Sequence, residues 1–244
     1  MIHSSVVIED GAKIAQGVII GPFCHIGKDV SLACGCTLES NVILKGRVTV
    51  AEDVKIFSFT SIGYEYSDVS IGAKTHVREF CQIGTQDDEN ENPRPIIIGA
   101  NSFLMAYVQL LSGVTLGEYC ILTNAVRLYE NVTCEERVII GGLSTIEANV
   151  RLGTGVMVGG ASYVDQDMAP FTLVEGNHAT IKGLNVIGLR RRLENKDDIE
   201  EIKAIFKKIL GDTVDKELAK EIAATHENEY VKRFAAFVAT SNMA

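Results

Sequence analysis

Aliphatic residues recur at every sixth position through most of this chain. From Ile2, steps of six land on Ile8, Ile14, Ile20, Ile26, Leu32, Leu38, Leu44, Val50, Ile56 and Ile62. The phase then slips by three residues, and Ile71, Val77 and Ile83 continue at the same spacing. A polar stretch from Thr85 to Pro95, within a loop assigned to 84–96, interrupts the pattern. The period resumes at Ile98 and runs by sixes through Leu104, Leu110, Leu116, Leu122, Leu128, Cys134, Ile140, Ile146, Leu152 and Val158 to Val164. A helix of 3.6 residues per turn would scatter these positions around its axis. Six is a multiple of the two-residue strand repeat, so each hexad supplies one short strand and one corner. The pattern predicts a mainly β chain, a parallel β-helix over residues 1–180.

The residue four after each aliphatic is small (Val6, Ala12, Val18, Cys24, Val30, Cys36, Val42, Val48, Val54, Thr60), as a narrow interior demands. Glycine often follows the aliphatic (Gly21, Gly27, Gly63, Gly72, Gly117, Gly141, Gly153), which predicts corners with unusual backbone angles. Cys24, Cys36, Cys81 and Cys120 fall on the small inward position and Cys134 on the aliphatic one, so they read as core fillers. Apart from the Cys34/Cys36 pair no cysteine has zinc-site spacing, and no metal is expected.

Residues 181–244 change to helical spacing. Asn195, Asp197 and Asp198 precede Ile199, Ile202, Ile205, Phe206, Ile209 and Leu210, which mark one apolar helix face ended by Gly211. Leu218, Ile222 and Ala223, then Tyr230, Phe234, Phe237 and Val238, predict two more helices. Together they form a C-terminal α-helical cap over the solenoid end, which cannot remain open.

Composition narrows the function. The chain has 244 residues, 46% of them hydrophobic, and a formal net charge of -9. That balance argues against nucleic acid as a partner, because phosphate backbones need a basic surface. No apolar run approaches the ~20 residues of a membrane span. Residues 1–10 lack a basic segment followed by an apolar one, so no secretory signal is read and the expected compartment is cytoplasmic.

A hexad solenoid with three strands per coil resembles the left-handed β-helix of hexapeptide-repeat acyltransferases. That resemblance implies the left hand, between eight and nine coils, and a homotrimer with sites between neighbouring subunits. The segments Asn177 to Thr180, Gly183 to Arg192, Ile140 to Gly142, Val156 to Gly160 and Phe103 to Met105 are similar to the UDP-N-acetylglucosamine O-acyltransferases of lipid A synthesis. The similarity implies transfer of a fatty acyl group from the phosphopantetheine arm of acyl carrier protein to a nucleotide-sugar hydroxyl, with no other cofactor. It also implies a histidine base, since a hydroxyl must lose its proton as it attacks the thioester.

The residues at the implied catalytic positions differ from that family. The base position is Ser112, the neighbouring histidine is Gln109, the oxyanion glycine is Glu130 with Asn131 after it, and a further histidine is Glu147. Serine is no proton acceptor at neutral pH, and a carboxylate beside a developing oxyanion is unfavourable. After Ser61-Ile-Gly63 the chain runs through Tyr64 to Asp68 without the family's longer loop and its acidic and lysine contacts. Asn185, Arg191 and Arg192 match implied nucleotide contacts, while an expected glutamate is Ile187. Arginine suits phosphate through its planar two-bond fork, although a short basic run such as Arg190 to Arg192 is commonly a solvated helix face.

His178 matches a family junction residue and His76 stands just before inward Val77; these two complete the substrate-binding candidates. His3 and His25 lie on early coils and His226 in the tail. The acidic run from Asp87 to Glu91 reads as a loop thrown out of the coil, with a cleft role left open. Two readings of function follow. One is an acyltransferase with an altered mechanism or an amine acceptor, in which Glu130 or Glu147 takes the proton. The other is a catalytically impaired paralogue, a regulatory trimer binding carrier protein or nucleotide.

Overall fold

In a computed structural model, described over residues 1–84, 94–211 and 213–243, the chain forms three sheets of nine, eight and ten strands, all parallel except the last strand of the third. Successive strands go to successive sheets, so the chain winds around a three-sided prism. Face one runs from Val7–Ile8 to Tyr163–Val164, and face two from Lys13–Ile14 to Arg151–Leu152. Face three runs from Ile19–Ile20 through Met157–Val158 and ends in Thr172–Gly176 and Ala179–Leu184. The acidic run 87–91 lies outside the described residues.

Strands stack in register 18 residues apart: Ile121 pairs with Ile139, and Leu128 with Ile146. The Ile121 N–H donates to the Val138 carbonyl at 2.9 Å, and Thr123 N–H to Ile140 at 3.0 Å. Each aliphatic of the hexad is then directly above its counterpart, and Ile26, Leu44, Ile62, Leu104, Leu128 and Val158 are fully buried. Burying one such side chain contributes about 1.5–3 kcal/mol. The three-residue slip after Ile62 is a longer corner at 63–67. It shifts the next pairing to Arg47 with Asp68, which also form an ion pair at 3.0 Å.

The small inward positions are buried, and their polar members bond to the neighbouring coil. Thr60 Oγ1 donates to the Arg78 carbonyl at 2.7 Å and Ser144 Oγ to Gly159 at 2.9 Å. Cysteines do the same: Cys36 Sγ reaches Ala51 O at 3.1 Å and Cys120 Sγ reaches Glu135 O at 3.2 Å. Burial pushes the Cys81 thiol up to about 12 and Cys120 to about 11, so neither supplies a thiolate near neutral pH. Cys34 alone is exposed.

The corners correct one expectation. Of the glycines after the aliphatic, Gly63 has positive φ (74°), but Gly21, Gly27, Gly72, Gly117, Gly141 and Gly153 do not. What most of those positions exclude is a side chain: a Cβ on Gly141 would lie 2.5 Å from the Gly160 nitrogen. The left-handed residue sits three places before most of the aliphatics instead, often Asn or Asp (Asn41, Asp53, Asn101, Asn131). On the corner from face three to face one it is aromatic at Phe59, Phe80 and Tyr107, whose exposed rings stack at 5.2 and 5.0 Å.

The tail holds four helices: α1 (Val186–Arg192), α2 (Lys196–Ile209), α3 (Lys216–Thr225) and α4 (Glu229–Thr240). Asn185, Asn195, Asp215 and Asn228 cap them with side-chain oxygens that accept N–H groups of the first turn. Their core of Leu189, Ile202, Ile209, Val231, Phe234 and Val238 includes Phe171 of the last coil. Between prism and helices runs an antiparallel hairpin, Thr172–Gly176 with Ala179–Leu184, which the hexad reading does not anticipate. Its Ile181 packs against both cores, so the hairpin lies between the last coil and the cap. Buried Asp167 fastens the joint. It accepts from the Arg151 guanidinium at 2.8 Å and the Asn242 N–H at 3.1 Å, and its own N–H donates to Asn242 Oδ1 at 2.7 Å.

Leu128→Ala is expected to lower unfolding stability by about 2–5 kcal/mol in a urea titration, the cost of a cavity in a prism that cannot collapse inward. A loss below 0.5 kcal/mol would contradict the stacking described.

Candidate functional site

A register of 18 places outward side chains in columns. On face one, Ser61, Gln82, Gln109, Arg127, Thr145 and Tyr163 follow one another strand by strand. Gln109 Nε2 donates to Gln82 Oε1 at 2.8 Å, and Gln82 Nε2 to the Tyr64 hydroxyl at 3.2 Å. These are neutral amides and a phenol, with no strong proton acceptor among them.

Ser112 occupies the corner between faces one and two. Its Oγ donates to the Arg94 carbonyl at 3.2 Å, and its own carbonyl accepts the Asn131 N–H at 2.9 Å. Among the described residues no histidine or carboxylate bonds to that hydroxyl, and none of them activates it as a nucleophile. Glu130 stands on the next coil of the same corner, exposed and without a hydrogen bond from its carboxylate to the described residues.

Higher on face one, Glu147 and His178 come together through two residues that the sequence reading passes over. The Tyr163 hydroxyl donates to Glu147, and Asp165 engages Nδ1 of His178. The Tyr163 and His178 rings meet edge to face at 5.2 Å. Tyr163 and then the Ala148 N–H hold the Glu147 carboxyl below the usual range, which weakens it as a proton acceptor. Tyr163 lies three strands above Gln109 in the same column, so counting by 18 from Gln109 finds it; Asp165 follows two residues later.

The remaining candidates lie elsewhere on the chain. His76 is on face three between Lys55 and Phe103, and burial with Lys55 and Arg78 lowers its pKa. Asn185 is spent on structure: it caps α1 by accepting Gly188 N–H at 2.9 Å and donates to Gly155 O at 3.1 Å. Arg191 and Arg192, in the last turn of α1, line a cleft of about 390 Å3 beside the corner between faces two and three. One chain therefore does not unite Gln109 and Ser112 with His76 or with the arginines. A wider cleft, about 870 Å3, lies over face two around Lys13, Arg47, Tyr66 and Asp68, away from every candidate. Among the described residues no group of three or more His, Cys, Asp or Glu is placed to hold a metal, and no helix is long and apolar enough to cross a membrane.

The prism and its helical cap define a parallel β-solenoid of the acyltransferase kind, and comparison with known proteins narrows the class. The profile of UDP N-acetylglucosamine O-acyltransferase, domain 2, matches residues 167–243. The acyl-(acyl-carrier-protein)–UDP-N-acetylglucosamine O-acyltransferase of Campylobacter concisus is 32% identical over 248 residues, covering 97% of this chain and 94% of the relative. The protein of that name from Saccharophagus degradans is 42% identical over 219 residues, covering 85% and 83%. A solved UDP-N-acetylglucosamine acyltransferase from Campylobacter jejuni superposes with a TM-score of 0.92 at 32% identity, covering 100% of this chain and 98% of that one. The chain belongs to the acyl-(acyl-carrier-protein)–UDP-N-acetylglucosamine O-acyltransferase family.

The Glu147–Tyr163 bond favours the folded state above the ordinary glutamate pKa, and that contribution is lost as pH falls through the lower folded value. Tyr163→Phe is expected to move the Glu147 titration, followed by carboxyl 13C shift, upward toward the normal range. An unmoved titration would show that the phenol does not hold that carboxylate.

Proposed function

We propose that this chain moves an acyl group from the phosphopantetheine thioester of acyl carrier protein to an amine on a nucleotide-sugar-like acceptor. The acceptor sits in a cleft between subunits of a homotrimer. The observation that carries this reading is Ser112 at the implied base position, its hydroxyl donating to the Arg94 carbonyl and bonded to no base among the described residues. A hydroxyl acceptor needs its proton removed during attack, whereas a neutral amine attacks a thioester with its own lone pair. As the thioester C–S bond breaks and the phosphopantetheine thiolate leaves, the ammonium formed on attack passes its proton through a carboxylate to that thiolate. Glu130 suits that step better than Glu147, because it is exposed on the coil next to Ser112 and Tyr163 does not hold it.

The test is an assay of the purified full chain with acyl carrier thioesters and matched amino- and hydroxyl-bearing sugar nucleotides. Transfer to the amine is expected to exceed transfer to the hydroxyl, and Glu130→Gln is expected to lower kcat/KM for the amine about tenfold or more. Ser112→His is expected to raise transfer to the hydroxyl by about 100-fold, the low end of what a positioned base supplies. A second reading, an impaired paralogue that binds carrier protein or nucleotide as a regulatory trimer, is favoured by the neutral Gln109–Gln82–Tyr64 ladder. No transfer to any acceptor, beside an active family enzyme, would decide for it.

A further inference from the structure

We propose that the groove between the hairpin strand Ala179–Leu184 and the end of α2 binds a single-chain aliphatic carboxylate, its tail on an apolar floor and its head at Lys182. The groove has a volume of about 410 Å3, within the range of small-molecule sites. Its floor is Met168 of the closing coil, Ile181 of the hairpin, Phe206 and Leu210 at the end of α2, Val214 beyond it and Met243 after α4. Met168 and Met243 are buried, but Phe206, Leu210 and Val214 are only partly covered by the cap core they pack against. Three apolar side chains thus keep accessible surface in one concave place. A hydrocarbon tail lying there gains about fourfold in affinity for each methylene it takes out of water.

The rim carries the polarity. Thr180, Lys182 and Thr213 are exposed there, and among the described residues no hydrogen bond or ion pair occupies their side chains. Asp167 is the one carboxylate among the described lining residues, and it is already spent. Its oxygens accept the Arg151 N–H at 2.8 Å, the Arg151 guanidinium at 2.8 Å and the Asn242 N–H at 3.1 Å. The charge left facing the groove is the Lys182 ammonium, which selects an anionic head.

The backbone singles out the same lysine. In the hairpin register Val174 pairs with Ile181 and Leu173 with Gly183, so Lys182 is a bulged residue with no partner opposite it. Ala179–Leu184 is also the last strand of its sheet. A bulge and a lysine on an edge strand oppose pairing with an incoming strand, so the occupant is a small molecule rather than an extended peptide. The groove's volume suits one tail of medium length, not the paired tails of a bilayer lipid.

Calorimetry of the full chain with sodium decanoate, below its micelle concentration, tests the proposal. No acyl carrier or sugar nucleotide is present, so the result is independent of the transfer assay. One saturable site per chain is expected, with octanoate binding about tenfold more weakly. Lys182→Gln should weaken decanoate about threefold to fivefold, the scale of an exposed ion pair, and leave uncharged decanol unchanged. Val214→Asn should weaken both ligands, while Lys45→Gln on an early coil alters neither. Circular dichroism and ligand-free Tm identify any variant that fails to fold, and the decanoate-to-decanol ratio in Lys182→Gln is a readout that a merely structural change would not move. Absence of saturable binding, decanol binding as tightly as decanoate to the unmodified chain, or saturable binding that neither Lys182→Gln nor Val214→Asn weakens would overturn the proposal.

Discussion

The parallel hydrogen-bond ladder with a register of 18 residues governs most of this molecule. Because each coil bonds to the next in register, 18 residues on except across the longer stretch between Ile62 and Ile98, side chains are copied along the axis into columns, inside and out. Inside, the columns are aliphatic or small, and every departure from apolar character is compensated locally, as Thr60 and Ser144 show by donating to the next coil's carbonyls. Outside, the columns are free to vary. A single replacement alters the chemistry at one height of the prism without disturbing its neighbours above and below. Ser112 and Gln109 can thus stand in an intact scaffold while removing the imidazoles that the family resemblance leads one to expect.

How much was legible beforehand follows from the same ladder. The six-residue period located nearly every strand, because burial of Ile26 or Leu128 depends only on sequence spacing. Cysteine burial was readable for the same reason. The corners were misread, since a glycine beside an aliphatic there mostly answers a steric demand from the next coil rather than a torsional one. The hairpin 172–184 was missed because it has no hexad period and owes its pairing to the sheet edge it joins. Tyr163 and Asp165 were within reach of a count by 18.

The candidate residues, matched by position to one site, divide between two parts of the fold. Gln109, Ser112, Glu130, Glu147 and His178 share one face and its corner, and Arg191 and Arg192 occupy another edge. Gln109, Gln82 and Tyr64 form a neutral hydrogen-bonded run at mid-height on face one. Charged partners gather higher up, where Glu147 and Asp165 are each occupied by a ring.

Asp167 has a consequence beyond holding the C-terminal segment in place. Its bonds to Arg151 and Asn242 join the solenoid's closing coil to the residues after α4 at a buried point. A cap riveted there cannot swing as a lid. Removing either partner would leave a buried carboxylate uncompensated, so the closing coil and the end of the chain are stabilised, and lost, together.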